Sequence, residues 1–140
     1  MKANVIVDTG VLVAYLNRRE QFYQWAKTEL AKIKMPLLTC EAVIVESCFL
    51  LNNVYGATDL IFSLLKTEKI VIPFHLTDES SEIESLMKRY QNVPMSLADA
   101  CLVRMSELIA GSSVLTLDSD FRVYQKNKNE MIDLIIADNL

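Results

Sequence analysis

The chain of 140 residues is 51% hydrophobic and 23% charged, with three glycines and three prolines, which excludes a long disordered linker and predicts one compact domain spanning residues 1–140. A formal net charge of −4 excludes a global basic field of the kind that drives unspecific nucleic-acid binding, leaving Arg18, Arg19, Lys88, Arg89 and Arg104 as the cations that could still track phosphates. Cys40, Cys48 and Cys101 are odd in number and lack C-x-x-C spacing, which argues against a disulfide framework or zinc knuckle. No apolar run is long enough to span a bilayer, so a cytoplasmic protein with no membrane association is expected.

The first element is Val5 to Val7, a β-branched run without alternation, which predicts a strand buried on both faces. Asp8 follows, then Thr9-Gly10 and a helix from Val11 to Leu16. A carboxylate closing a buried strand stands where open α/β sheets bind ligands, although it can equally be the N-cap of the helix that follows. Phe22, Trp25, Ala26, Leu30 and Ile33 keep helical spacing, Leu37 to Thr39 reads as a second strand, and Ala42 to Leu51 as a helix. Glu46 lies in that helix with Ala42, Val43, Phe49 and Leu50 on its face. Its carboxylate therefore projects from an apolar stripe, unless it is a boundary residue whose head reaches water.

Thr58 to Leu65 predicts a helix and Ile70 to Ile72 a strand, with Gly56 and Gly111 placed where helices should stop. Thr77-Asp78 reads as a helix start before Ile83 to Tyr90. Pro94-Met-Ser96-Leu-Ala-Asp99 then opens a helix running to Ile109. Ser96 and Asp99 have capping-box spacing, and Ala98, Cys101, Leu102 and Met105 mark a core helix, so Asp99 admits both a structural and a functional reading. Val114 to Leu117 is the next strand, followed by Asp118 and Asp120, either of which could cap a short helix while the other binds a cation; Asp118 is favoured because it lies nearer the strand end. Lys126 to Glu130 predicts a solvated turn and Ile132 to Ile136 a last strand. Short buried strands alternating with helices define an α/β fold around a mainly parallel sheet of about five strands.

Four acids at such positions cost several kcal/mol in desolvation and mutual repulsion unless a cation compensates, which makes a divalent ion the simplest explanation. His75 is the only histidine, so schemes pairing a nucleophile with histidine have little support, and no glycine-rich phosphate loop is present.

Taken in order, Val-Ile-Val-Asp8-Thr-Gly, Glu46, Pro94-Met-Ser-Leu-Ala-Asp99-Ala-Cys-Leu-Val and Val-Leu-Thr116-Leu-Asp118-Ser-Asp120-Phe resemble the PIN-domain ribonucleases, in particular the VapC-like toxins of type II toxin–antitoxin pairs. The resemblance implies a three-layer α/β/α domain and an Mg²⁺- or Mn²⁺-dependent endoribonuclease. It matches Asp8, Glu46, Asp99 and Asp118 to the family's acidic quartet, and Thr116 to its supporting hydroxyl residue. Asp8 and Asp99 are then the principal ligands, with Glu46, Asp118 and Asp120 acting directly or through water. It also implies an RNA substrate, a homodimer, and a cognate antitoxin whose tail blocks the site and through which alone DNA is contacted. Many relatives carry an acid and a histidine where this chain has Arg19-Glu20-Gln21-Phe22-Tyr23, and often an aspartate at the position of Ser96. One rival keeps the fold and acts only by binding partners or nucleic acid. A second, a phosphoacceptor receiver domain, would need an acidic neighbour beside Asp8 that the chain lacks.

Overall fold

A computed structural model of the protein describes residues 1–138 and 140. The chain begins with strand β1 (Val5–Val7), followed by helices α1 (Thr9–Leu16) and α2 (Tyr23–Leu30), strand β2 (Leu37–Leu38), and helices α3 (Glu41–Leu50) and α4 (Ala57–Lys66). Strand β3 (Ile70–Val71), helices α5 (Ser80–Arg89) and α6 (Leu97–Leu108) and strand β4 (Ser113–Thr116) come next. A 3-10 turn (Ser119–Arg122), a hairpin of β5 (Gln125–Lys126) and β6 (Glu130–Met131), and strand β7 (Leu134–Ile136) complete the order.

β1, β2, β3, β4 and β7 form a five-stranded, wholly parallel sheet in the order β3-β2-β1-β4-β7, with Ile6 opposite both Leu38 and Val114. Val5, Ile6 and Val7 are fully buried, as expected of a central strand covered on both faces. The chain winds outward from β1 through β2 to β3, then returns past β1 to place β4 on its other side. Parallel crossovers are right-handed, so this reversal puts α1 to α4 on one face and α5 and α6 on the other. The reversal point lies between β1 and β4, and the crevice at their carboxyl ends is where such sheets accept ligands.

Several elements differ from the sequence expectation at their ends. α1 starts at Thr9 rather than Val11, because Asp8 accepts a hydrogen bond from the Thr9 N–H and caps the helix two residues early. α2 stops at Leu30, and Ile33 is drawn instead into a backbone bridge with Lys2. Thr77 and Asp78 do not cap α5: its N-cap is Glu79, and the Ser80 hydroxyl bonds the Thr77 carbonyl. Gly56 opens α4 instead of closing α3. The turn expected over Lys126 to Glu130 joins the β5–β6 hairpin, with Asn127 and Lys128 at positive φ.

Arg104 is not free to contact phosphates. Its guanidinium pairs with Glu79 at 2.7 Å and Glu107 at 3.1 Å, tying the start of α5 to the face of α6. Arg89 likewise lies over the Tyr90 ring and donates to the Lys128 carbonyl, holding the hairpin against the end of α5.

Candidate metal centre

Asp8 leaves β1 at its carboxyl end and is 6% exposed. Its two oxygens have different partners: Oδ1 accepts from the Thr9 N–H at 2.7 Å, and Oδ2 accepts from the Thr116 hydroxyl at 2.8 Å. Thr116 ends β4, the strand beside β1, so a sheet neighbour supplies the second bond. The same hydroxyl accepts from the Asp118 N–H at 2.9 Å, and Asp118 in turn caps the 3-10 turn by accepting from the Asp120 N–H at 2.9 Å.

Asp99 reaches the site from α6. Ser96 and Asp99 form a full capping box: the Asp99 N–H donates to the Ser96 hydroxyl at 3.0 Å and the Ser96 N–H to Asp99 Oδ2 at 3.1 Å. Box and cluster use the same residue, so the capping role of Asp99 does not compete with a place in the cluster. The same is true of Asp8 and Asp118, each of which caps a helix or turn whose amino end faces the cluster. Three sets of N–H groups thus meet the acids from behind, which offsets part of the cost of holding them there.

Asp8, Asp99 and Asp118 each offer an oxygen within 4.8 Å of the others. Burial pushes the Asp8 carboxyl up to about 6; the Thr116 hydroxyl and Thr9 N–H oppose the rise, and the charges of Asp99 and Asp118 add to it. Burial also raises the Asp99 carboxyl, with the Ser96 N–H opposing and Asp118 adding. Three hard oxygen donors converging from separate elements, with no lysine or arginine bonded to any of them among the described residues, fit a divalent cation better than any protein counter-charge.

The cluster floors a cavity of about 640 Å³ whose rim includes Glu20, Gln21, Phe22, Glu46 and Leu50. Glu46 therefore faces the same space but stands outside the close cluster. The apolar stripe expected around it is split: Val43 is core, whereas Phe49 is 72% and Leu50 54% exposed, and Glu46 itself is exposed. α3 buries only Val43 and Ser47 on its inner side, which leaves Glu46 as a boundary residue with its head in water. Asp120 is half-buried and lies outside the cluster, its backbone committed to Asp118. His75 is exposed, away from this cavity.

Two residues of the site were not visible in sequence. Tyr124 is 1% exposed, stacks edge-on against Phe121 and Tyr90, and brings its hydroxyl to 3.1 Å from the Pro94 carbonyl and 3.4 Å from Asp99 Oδ2. Burial, then the Asp99 charge, pushes its phenol well above the ordinary range, so it stays a neutral donor. Its only signal is an aromatic three positions after Phe121. Glu20 stands in the segment that departs from the family pattern, and only the path of the loop after α1 brings it to the rim.

The PIN domain family model matches residues 5–127 of the chain. No curated protein matches the sequence. Among solved structures, the chain is similar to the Mycobacterium tuberculosis toxin VapC20, described as cleaving the sarcin–ricin loop. The TM-score is 0.73 at 20% identity, with 85% of this chain and 93% of that one covered.

Proposed function

Because the chain belongs to the PIN-domain family, we propose that it is a divalent-metal-dependent endoribonuclease and the toxin half of a toxin–antitoxin pair. The observation that carries the reading is the convergence of Asp8, Asp99 and Asp118 within 4.8 Å at the carboxyl ends of the sheet, the place the fold reserves for ligands. The VapC20 toxin has the same fold, which agrees with the toxin assignment.

In this reading Asp8, Asp99 and Asp118 hold Mg²⁺ or Mn²⁺, with Glu46 reaching it through water from the rim. A divalent ion in this position supplies Lewis acidity to a phosphodiester and makes a neighbouring water more acidic at neutral pH. The protein's own part is positional. Thr116 fixes the Asp8 carboxylate and the backbone of Asp118 at once, the Asp120 N–H holds the Asp118 carboxylate, the capping box and Tyr124 fix Asp99, and Glu46 and Glu20 stand where they can orient a water or take its proton. Asp120 is a reserve ligand reached by a shift of the 3-10 turn. The cavity has a volume of about 640 Å³, and its acidic rim, with Glu20 and Glu46, favours a cation-neutralised strand.

The partners follow from the same assignment. The substrate is RNA, the cognate antitoxin covers the acidic cavity, and DNA is met only through the antitoxin. The exposed apolar residues Val45, Phe49 and Leu50 of α3 and Leu60 and Phe62 of α4, which packs beside it, form the surface on which a second copy docks. No described helix is long and apolar enough to cross a membrane, and the cytoplasm is the proposed compartment.

The test is cleavage of a mixed RNA pool by antitoxin-free protein in Mg²⁺, in EDTA, and by an Asp99→Asn variant purified identically. Cutting should vanish in EDTA and fall about a hundredfold or more in the variant, whose amide oxygen still accepts the Ser96 N–H and preserves the helix cap. Equal cutting by the variant would refute the assignment.

A further inference from the structure

We infer that Cys40 and Cys101 form an oxidisable dithiol, which a peroxide-class oxidant converts to an intramolecular disulfide joining the start of α3 to α6. The inference does not depend on the nuclease reading.

Cys40 is the N-cap of α3 and Cys101 lies within α6, which packs against α3. The two cysteines line one cavity and both residues are buried, at 1% and 2% exposed. A cysteine is a poor choice for the N-cap position, where serine, threonine, aspartate or asparagine would supply an oxygen. No side-chain bond caps α3, and the N–H groups of Val43 and Ala42 face the Cys40 sulfur instead. The helix thus gives up a cap and gains a sulfur at its amino end, where the N–H groups favour a thiolate against the opposing charge of Asp8. The neighbouring Cys101 thiol, then these N–H groups, hold the Cys40 thiol below its ordinary range against its burial.

Access comes through a cavity of about 140 Å³ lined by both cysteines with Glu41, Ala42, Phe74 and Leu76. Phe74 is buried at its floor, whereas Glu41 and Leu76 are exposed at its mouth. At about 30 Å³ per water molecule the space holds a few waters, enough for hydrogen peroxide but too little for a tripeptide disulfide. Cys48, half-buried and elsewhere on α3, shares neither the cavity nor a thiol partner, so it serves as an internal reference.

The chemistry closes in two steps. The Cys40 thiolate attacks a peroxide oxygen: an S–O bond forms, the O–O bond breaks, the sulfur loses two electrons to the peroxide, and hydroxide departs. The Cys101 sulfur then attacks the sulfenic sulfur: the S–S bond forms, the S–O bond breaks, and the leaving hydroxide takes the Cys101 proton as water. Overall two thiols and one hydrogen peroxide give one disulfide and two waters.

The experiment treats reduced full-length protein with increasing hydrogen peroxide, blocks the remaining thiols by alkylation, and maps the peptides by mass spectrometry. The expected product is monomeric, has lost two hydrogens and two alkylatable thiols, contains a Cys40–Cys101 linked peptide, keeps Cys48 alkylatable, and reverts with dithiothreitol. Cys40→Ser should abolish the link. Cys101→Ala should leave Cys40 as a sulfenic acid that dimedone traps, at peroxide concentrations that leave Cys48 untouched. The wild-type map alone decides the matter should either variant fold poorly. Oxidation of Cys48 ahead of the pair, disulfide dimers, or Cys40 and Cys101 both still alkylatable once Cys48 is oxidised would each overturn the inference.

Discussion

Asp8 has one oxygen committed to the helix behind it and one to the strand beside it, and both bonds leave the outward lone pairs free toward Asp99 and Asp118. Its pH behaviour follows from the burial that raises it. With the folded value near 6 and the ordinary one at 3.8, the metal-free native state binds the proton more tightly than the unfolded chain. The stability Asp8 contributes by taking up a proton is therefore present at low pH, is lost as pH rises toward 6, and is absent above it. The gap between 3.8 and about 6 corresponds to about 3 kcal/mol. In EDTA, urea unfolding should show the wild type losing up to that amount between pH 4 and pH 7 relative to Asp8→Asn; parallel pH curves for the two proteins would contradict it. Thr116→Val removes the hydroxyl that opposes the rise. Carbonyl NMR titration of the apo variant should find Asp8 protonated to higher pH, and Mn²⁺ should bind more weakly, as measured by calorimetry.

α6 was the most legible element and α3 the least. The Ser96-x-x-Asp99 spacing and the run Ala98, Cys101, Leu102, Met105 announce a capped core helix, and the structure has one from Leu97 to Leu108. β1 was equally plain, because three β-branched residues in a row leave no polar face to expose. Glu46 was harder to place: α3 has apolar residues all round, so its sequence does not distinguish the face turned to the core from the face turned to water, and tertiary packing alone decides that Val43 goes in and Phe49 out. Tyr124 was illegible for a different reason. Its role depends on a turn at Pro94 that is 30 residues away in sequence. The end of α6 gives a test at this scale. Gly111 follows it at φ +74, a conformation that disfavours any Cβ even though open space surrounds it. Gly111→Ala should cost about 1 kcal/mol of stability from backbone strain alone, read from the urea midpoint. No change would mean that the turn relaxes to negative φ.

Across the whole molecule the clustered acids lie at one end of the sheet, five of the exposed large apolar side chains lie on α3 and α4, and Leu50 belongs to both the cavity rim and that group. A second copy docked there would sit beside the cavity. Sedimentation equilibrium should find a dimer, and Phe49→Lys should raise its dissociation constant at least about tenfold, since an exposed aromatic at the centre of such a patch is the kind of residue that anchors an interface. A monomeric wild type would remove the dimer from the proposal. The parallel pairing of β1 with β4 also orders events in time. Asp8 is made well ahead of the strand that carries its hydroxyl partner and of Asp118 just beyond it, with more than a hundred residues in between. A polypeptide interrupted between Asp99 and Ser113 holds Asp8 and Asp99 but has an open edge along β1 and lacks both the Thr116 hydroxyl and Asp118. The proposed metal centre therefore cannot form on a growing chain until Asp118 has been made.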